Sequence, residues 1–290
     1  MAFVGTANGI NSKVVQVNVV TGDIIGRLTF SNDIHDVTLA GDYLYVYTVN
    51  ALYVVSNDNG LMNVIGSVAL SGGVNSSIDR MRLFVGGDIA YTIHSRGYST
   101  VDVKNPAQPN LIAHQLAAQF GWKDIAINGS GVGIAAVGAN SILDGPHHIA
   151  RYDVSNPTNV DQFVTEHQTP GIARAVSIYN GLVYVTDDTS GLQVINYLSY
   201  DTAGNAPFIV LSANFSLNPA QAEEGKRVRV AADVNDDVQV RNVEFYIDDV
   251  KVATDGNFPF EHHFITPRLV DQQTFSLKAR ASDTGANVTW

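Results

Sequence analysis

The side chains best placed to do chemistry recur at one point of an internal repeat. With Gly41, Gly87, Gly129 and Asn180 as anchors, the positions five residues earlier are Asp36, Arg82, Asp124 and Ala175. One residue before those stand His35, Met81, Lys123 and Arg174. Gathered on one rim, His35, Asp36, Arg82, Lys123, Asp124 and Arg174 can bind a small polar ligand, or they can neutralise one another in salt bridges. His35, Asp36 and Asp124 are also the kinds of group that metal-assisted or acid–base hydrolysis uses. A second set, Asp233, Asp236, Asp237 and Asp283, offers only hard oxygen ligands, the chemistry of a calcium site. Its spacing is not that of an EF-hand loop, so ordinary acidic turns are the competing reading.

Other combinations carry less. The string Gly129-Ser130-Gly131-Val132-Gly133 imitates a phosphate loop, but no helix follows to lend its N-terminus, and a hairpin turn is expected. Asp144, His147 and His148 lie in an insertion, and His262-His263 lie in a strand. Adjacent strand residues point to opposite faces, which argues against paired metal ligation. Asp187-Asp188 and Asp248-Asp249 read as turn residues. No serine elbow and no His-x-x-x-His occurs, and no catalytic residue is assigned. Zero cysteines exclude thiol catalysis, disulfides and sulfur-ligated zinc. A formal charge of −11, with 17 Lys+Arg against 28 Asp+Glu, sets nucleic acid aside as a partner.

The elements that must position these residues are strands. Valine is abundant, Tyr and Phe number 12 each, and Gly, Asn and Asp punctuate the 290 residues at short intervals. Each anchor sits in a tight turn between two alternating strands. The anchors are 46, 42 and 51 residues apart, the length of a four-stranded propeller blade. Tyr45, Tyr91 and Tyr184 fall four residues after their anchors, and Leu39, Val85, Ile127 and Ile178 fall two before, as inward core positions. Third strands follow at 52–55, 99–103, 149–154 and 192–195. Two of them run into Asn105-Pro106 and Asn156-Pro157, where proline closes the ladder. The first strand of a propeller blade lines the central channel, so the six charges are expected at one channel mouth.

Three stretches carry a family resemblance. Gly191-Leu192-Gln193-Val194-Ile195-Asn196, Ser99-Thr100-Val101-Asp102-Val103-Lys104-Asn105-Pro106 and Ile149-Ala150-Arg151-Tyr152-Asp153-Val154-Ser155-Asn156-Pro157 resemble the LVIVD repeat of bacterial and archaeal surface proteins. The resemblance covers residues 1–200 and departs in the second repeat, which lacks the Asp-Val-x-Asn-Pro ending. It implies a β-propeller and no particular reaction. Ala2-Phe3-Val4 aligns with Leu44-Tyr45-Val46, so the first repeat lacks its first strand. The last has three strands and passes into a turn-rich linker, 201–206. At least five repeats are expected, the outer two incomplete, within a longer multidomain polypeptide.

From residue 207 the period changes. Short alternating strands at 208–211, 227–234, 243–247, 250–253, 258–261 and 275–281 read as a β-sandwich. Val243-Glu244-Phe245-Tyr246-Ile247-Asp248-Asp249-Val250, Phe258-Pro259-Phe260 and Ala279-Arg280-Ala281-Ser282-Asp283-Thr284-Gly285-Ala286-Asn287 resemble bacterial Ig-like domains. In that family another strand follows the Asp-x-x-Gly-x turn, so 207–290 is expected to be truncated at its C-terminus.

The expectation is an all-β, non-catalytic, adhesin-like binding and scaffolding protein at a bacterial cell surface or secreted, meeting a protein or carbohydrate. The propeller is the recognition head and the Ig-like domain the spacer. The alternative is a lactonase- or glycosidase-like propeller hydrolase with a metal or carboxylate site at the channel mouth. No stretch approaches the roughly 20 apolar residues that cross a bilayer, and Met1-Ala2-Phe3-Val4-Gly5 lacks the basic start of a signal peptide. Neither a transmembrane segment nor a cofactor other than calcium is expected.

Overall fold

The computed structural model describes residues 1–58, 60–70, 81–114, 121–138, 148–215 and 221–290, and is all-β apart from two short 3-10 turns. Five antiparallel sheets follow one another along the chain. The first is β1 (Ala2–Gly5), β2 (Ser12–Val17) and β3 (Ile24–Phe30). The second is β4 (Ile34–Ala40), β5 (Tyr43–Thr48), β6 (Ala51–Asp58) and β7 (Leu61–Ala69), and the third is β8 (Leu83–Gly86), β9 (Ile89–His94), β10 (Gly97–Asp102) and β11 (Asn110–His114). The fourth is β12 (Trp122–Ile127), β13 (Val132–Val137), β14 (His148–Asp153) and β15 (Phe163–Gln168), and the fifth is β16 (Ala175–Tyr179), β17 (Leu182–Thr186) and β18 (Leu192–Ile195). Three, four, four, four and three strands make the blades of a β-propeller whose outer two are incomplete, as the repeat register predicts.

The anchors are conformational requirements. Gly41, Gly87 and Gly129 have φ of 58°, 61° and 81°, and Asn180 has φ 51° followed by Gly181 at 76°. A left-handed residue gives the tight reversal between the first two strands its hand, and glycine or asparagine adopts it at least cost. The Asp-Val-x-Asn-Pro ending has an equally local cause. Asp102 Oδ1 accepts Lys104 N–H and Asp153 Oδ1 accepts Ser155 N–H, both at 2.9 Å. Asn105 Oδ1 accepts Ala107 N–H (3.2 Å) and Asn156 Oδ1 accepts Thr158 N–H (3.0 Å). Val103 and Val154 are buried between these side-chain turns. The proline carbonyl then meets the preceding blade. Thr100 Oγ1 donates to Pro157 O, and a Cβ on Gly66 would stand 2.2 Å from Pro106 O, a gap that glycine alone fits.

The alternation expected of the second strands survives in β17 but not in the three before it. β5, β9 and β13 are buried almost without break because each blade packs on both faces. In β5, Leu44 and Val46 join Val14, Phe30 and Ile34 on the side of the first blade, whereas Tyr45 and Tyr47 join Leu83, Val85 and Val101 of the third. Between the third and fourth blades, Tyr98, Trp122 and Tyr152 pack with ring centroids 5.6 Å and 4.8 Å apart along that chain. Val85, Ile127 and Ile178 are buried as expected, but Leu39 is 54% exposed. The four-residue β1 lies against Ile34 and Val37 and leaves the far end of β4 uncovered.

The sandwich has one sheet of β19 (Phe208–Ala213), β20 (Arg227–Asn235) and β23 (Phe260–Ile265). Its second sheet is β22 (Val250–Asp255), β21 (Val240–Ile247), β24 (Leu277–Asp283) and β25 (Val288–Thr289). Val230, Ala232 and Val234 of the first sheet pack on Val243, Phe245 and Ala281 of the second. Asp248 and Asp249, both at positive φ (49° and 64°), form the two-residue turn between β21 and β22. The chain divides into two compact units, 1–126 with 133–176 and 185–193, and 194–290 with 127–132 and 177–184. Among the described residues, no helix is long and apolar enough to cross a membrane.

Candidate functional site

Asp36 and Asp124 lie on the first strands of their blades, β4 and β12, and backbone amides engage both carboxylates. Asp36 Oδ1 accepts the N–H of Val37 (2.9 Å) and Oδ2 that of Leu83 in the next blade (3.0 Å). Asp124 repeats the pattern, Oδ1 with Ile125 N–H and Oδ2 with Val176 N–H, both at 3.0 Å. In the repeat register, Leu83 and Val176 hold the same column as Val37 and Ile125. Each aspartate therefore ties its own strand to the equivalent residue of the following blade. No ladder does so, since β4 and β8, like β12 and β16, belong to different sheets.

Arg82 fills the same column between them. Its Nη1 lies 3.8 Å from Asp36 Oδ1, and its charge reaches Asp124 as well. Burial pushes the Asp36 carboxyl above the usual range, against the pull of the Leu83 amide and Arg82. Burial pushes Asp124 up to about 6, opposed by the Val176 amide and Arg82, while Asp36 adds to the rise. A carboxyl of that affinity would suit a general acid, but its two oxygens already accept amide protons and point along the scaffold.

Of the other predicted members, Arg174 is engaged away from this trio. Arg174 pairs with Asp188 (3.1 Å), and its own N–H donates to Thr186 O. His35 is the extra residue of a bulge between Ile34 and Asp36, 6.4 Å from the Tyr47 ring, and burial lowers its pKa. Lys123 is half-buried on β12. The structure thus brings together Asp36, Arg82 and Asp124, and turns Arg174 to a neighbour on its own blade.

Two arrangements escaped the sequence reading. Ser99 Oγ lies 2.7 Å from His114 Nδ1, a directly opposed pair of β10 and β11, and the His114 ring is 5.2 Å from that of His94. Ser99 is fully buried, so the pair lacks the access a nucleophile needs. Burial, with the charges of His114 and Arg96, takes the His94 pKa down to about 4. Asp187, read as a turn residue, is buried, and its Oδ2 accepts Gly171 N–H at 2.8 Å. His148 is buried with Nε2 3.4 Å from Glu166 Oε2, whereas Asp144 and His147 lie outside the described residues.

In the second unit the acidic set is rearranged. Asp201, Asp236 and Asp237 each place a carboxylate oxygen within 4.8 Å of the other two. Asp233 is outside this group: Val230, Ala232 and Val234 alternate inward on β20, so Asp233 faces solvent. Asp283 is buried, with Oδ1 and Oδ2 taken by the N–H and Nδ2 of Asn287 (both 2.8 Å). Burial, then the amides of Val238 and Gln239, then the charges of Asp283 and Asp237 act on Asp236, with a net rise in its pKa. Asp201 was counted into the linker, and its one sequence signal is an Asx turn before Gly204.

Residues 170–196 match the LVIVD repeat family, and residues 216–279 match the family described as bacterial Ig domain. No protein with a curated description matches the chain in sequence. Among solved structures, the Pan2 WD40 domain of Neurospora crassa aligns at 14% identity and TM-score 0.46 over 66% of this chain and 57% of that one. Hsv2 of Kluyveromyces lactis aligns at 12% and 0.42, covering 87% and 83%. Regucalcin of Agrobacterium tumefaciens, described as a calcium-binding protein, aligns at 14% and 0.41, covering 67% and 76%.

Two outcomes follow for stability. Asp36→Ala and Asp124→Ala each strand a buried amide and should cost about 1–3 kcal/mol in urea denaturation, while Arg174→Ala removes a half-exposed pair and costs under about 1 kcal/mol. Equal losses for all three would contradict the staple assignment. His94, depressed in the folded state, contributes stability above its unfolded pKa of 6.5 that is lost as pH falls toward 4. Asp124, raised, acts with the opposite sign between about 6 and 3.8. His94→Phe should therefore lose about 2–3 kcal/mol less than wild type on going from pH 7 to pH 4.5. Parallel losses in the two proteins would remove His94 from the account.

Proposed function

We propose that this chain, an LVIVD-repeat propeller carrying a bacterial Ig domain, is a non-catalytic binding and scaffolding part of a bacterial cell-surface or secreted protein. The propeller serves as recognition head for a protein or carbohydrate, and the Ig domain as spacer. The observation that carries this reading is the engagement of both carboxylate oxygens of Asp36 and of Asp124 by backbone amides. Carboxylates committed to holding blades together are poor candidates for proton transfer or metal ligation, which supports the non-catalytic reading. Recognition then falls to the exposed surface of the propeller. All six residues of β15 are exposed, and so are Leu192 and Val194 on β18. The two family matches support a surface location, since the sequence resembles repeats and sandwiches of surface proteins.

The test sets the two classes against each other on the intact chain. Lactones and aryl glycosides are offered with and without calcium, zinc or manganese, and the same preparation is applied to a glycan array and to immobilised extracellular proteins. The expected result is saturable binding to at least one array member with no turnover above buffer. Hydrolysis that is abolished in Asp36→Asn or Asp124→Asn would overturn the proposal in favour of a channel-mouth enzyme.

A further inference from the structure

The loop that enters the sandwich carries an aspartate that is 4% exposed. Its Oδ1 accepts Ala203 N–H at 2.7 Å, and its buried Oδ2 has no hydrogen-bond partner. Asp236 has the same asymmetry: Oδ2 accepts the N–H groups of Val238 (3.1 Å) and Gln239 (2.8 Å), and Oδ1 is buried without a partner. Asp237 stands beside them, half engaged by Asn205 Nδ2 on Oδ2 (2.9 Å). A buried carboxylate oxygen without a donor is costly, and the two residues that carry one, Asp201 and Asp236, each place a carboxylate oxygen within 4.8 Å of the other's and of Asp237's.

We propose that Asp201, Asp236 and Asp237 bind one calcium ion through the carboxylate oxygens that no protein donor satisfies. Calcium takes six to eight oxygens at 2.3–2.6 Å, so ligands on opposite sides of the ion are about 5 Å apart. Carboxylates that converge from two loops suit the irregular, all-oxygen shell of calcium, whereas magnesium demands near-ideal octahedral geometry and keeps several of its waters. Asp237 is exposed, which leaves room for water to complete the shell. The neighbouring turn is already shaped to the loop: a Cβ on Gly285 would lie 2.8 Å from Asp201 O, and Asp283 is locked onto Asn287 beside it. Calcium then pins the entering loop to the β20–β21 turn of the same unit.

Calcium chloride is titrated into the full chain by calorimetry, and melting is followed with calcium, magnesium or sodium chloride at equal ionic strength. Wild type should show saturable heat and a rise in melting temperature of about 5 °C or more with calcium, and a smaller rise with magnesium. Asp201→Asn and Asp237→Asn should lose both, while Asp233→Asn keeps them. Because Asp237 is exposed, Asp237→Asn without calcium should melt as wild type does, which separates lost binding from lost folding. No heat with wild type, equal shifts for all three salts, or an unchanged response in Asp237→Asn overturns the site.

Discussion

The propeller depends on a carboxylate that holds two backbone amides belonging to different sheets. Within a blade, ladders fix neighbouring strands. Between blades, contact is largely apolar packing, which is strong but indifferent to sliding, with single hydroxyl links such as Thr38 Oγ1 to Leu83 O and Thr100 Oγ1 to Pro157 O. Asp36 and Asp124 supply direction, each reading the N–H beside it and the N–H of the equivalent residue one blade on. Such a bond sets the height of one inner strand against the next, and the packing of Tyr45 and Tyr47 on Leu83 and Val85 inherits that height. The cost is a desolvated charge, seen in the raised Asp124, and Arg82 offsets part of it from between the two aspartates.

This arrangement assigns different work to residues that share a column. Aspartate staples the second blade to the third and the fourth to the fifth. The intervening position is arginine, which balances charge, and the last is alanine. Strict equivalence along the repeat is therefore not needed for the fold, provided the apolar faces and the left-handed anchors recur. The same economy explains Asp-Val-x-Asn-Pro: two side-chain turns and one buried valine shape a loop whose proline carbonyl meets the preceding blade.

The repeats, their strand order and the sandwich were legible because each rests on short-range signals. Positive φ at the anchors and Asx turns need only local residues, and alternating valines mark β20. What was illegible depends on partners distant in sequence. Six charges in register do not reveal that Leu83 and Val176 offer free amides, because backbone donors carry no sequence label. The bulge at His35 and the exposure of Leu39 follow from pairing and from the short β1. Asp201 became part of an acidic group only once the loop folded back to Asp236 and Asp237, and Asp233 left it because strand alternation turns it outward.

The central claim is that Asp36 and Asp124 act on backbone amides rather than on a ligand, and amide hydrogen exchange reads this bond by bond. In wild type, the Leu83 and Val176 amides should be protected like interior ladder amides. Asp36→Ala should release Leu83 while sparing Val176, and Asp124→Ala should do the reverse. Fast exchange of both amides in wild type, or protection indifferent to either substitution, would contradict the account.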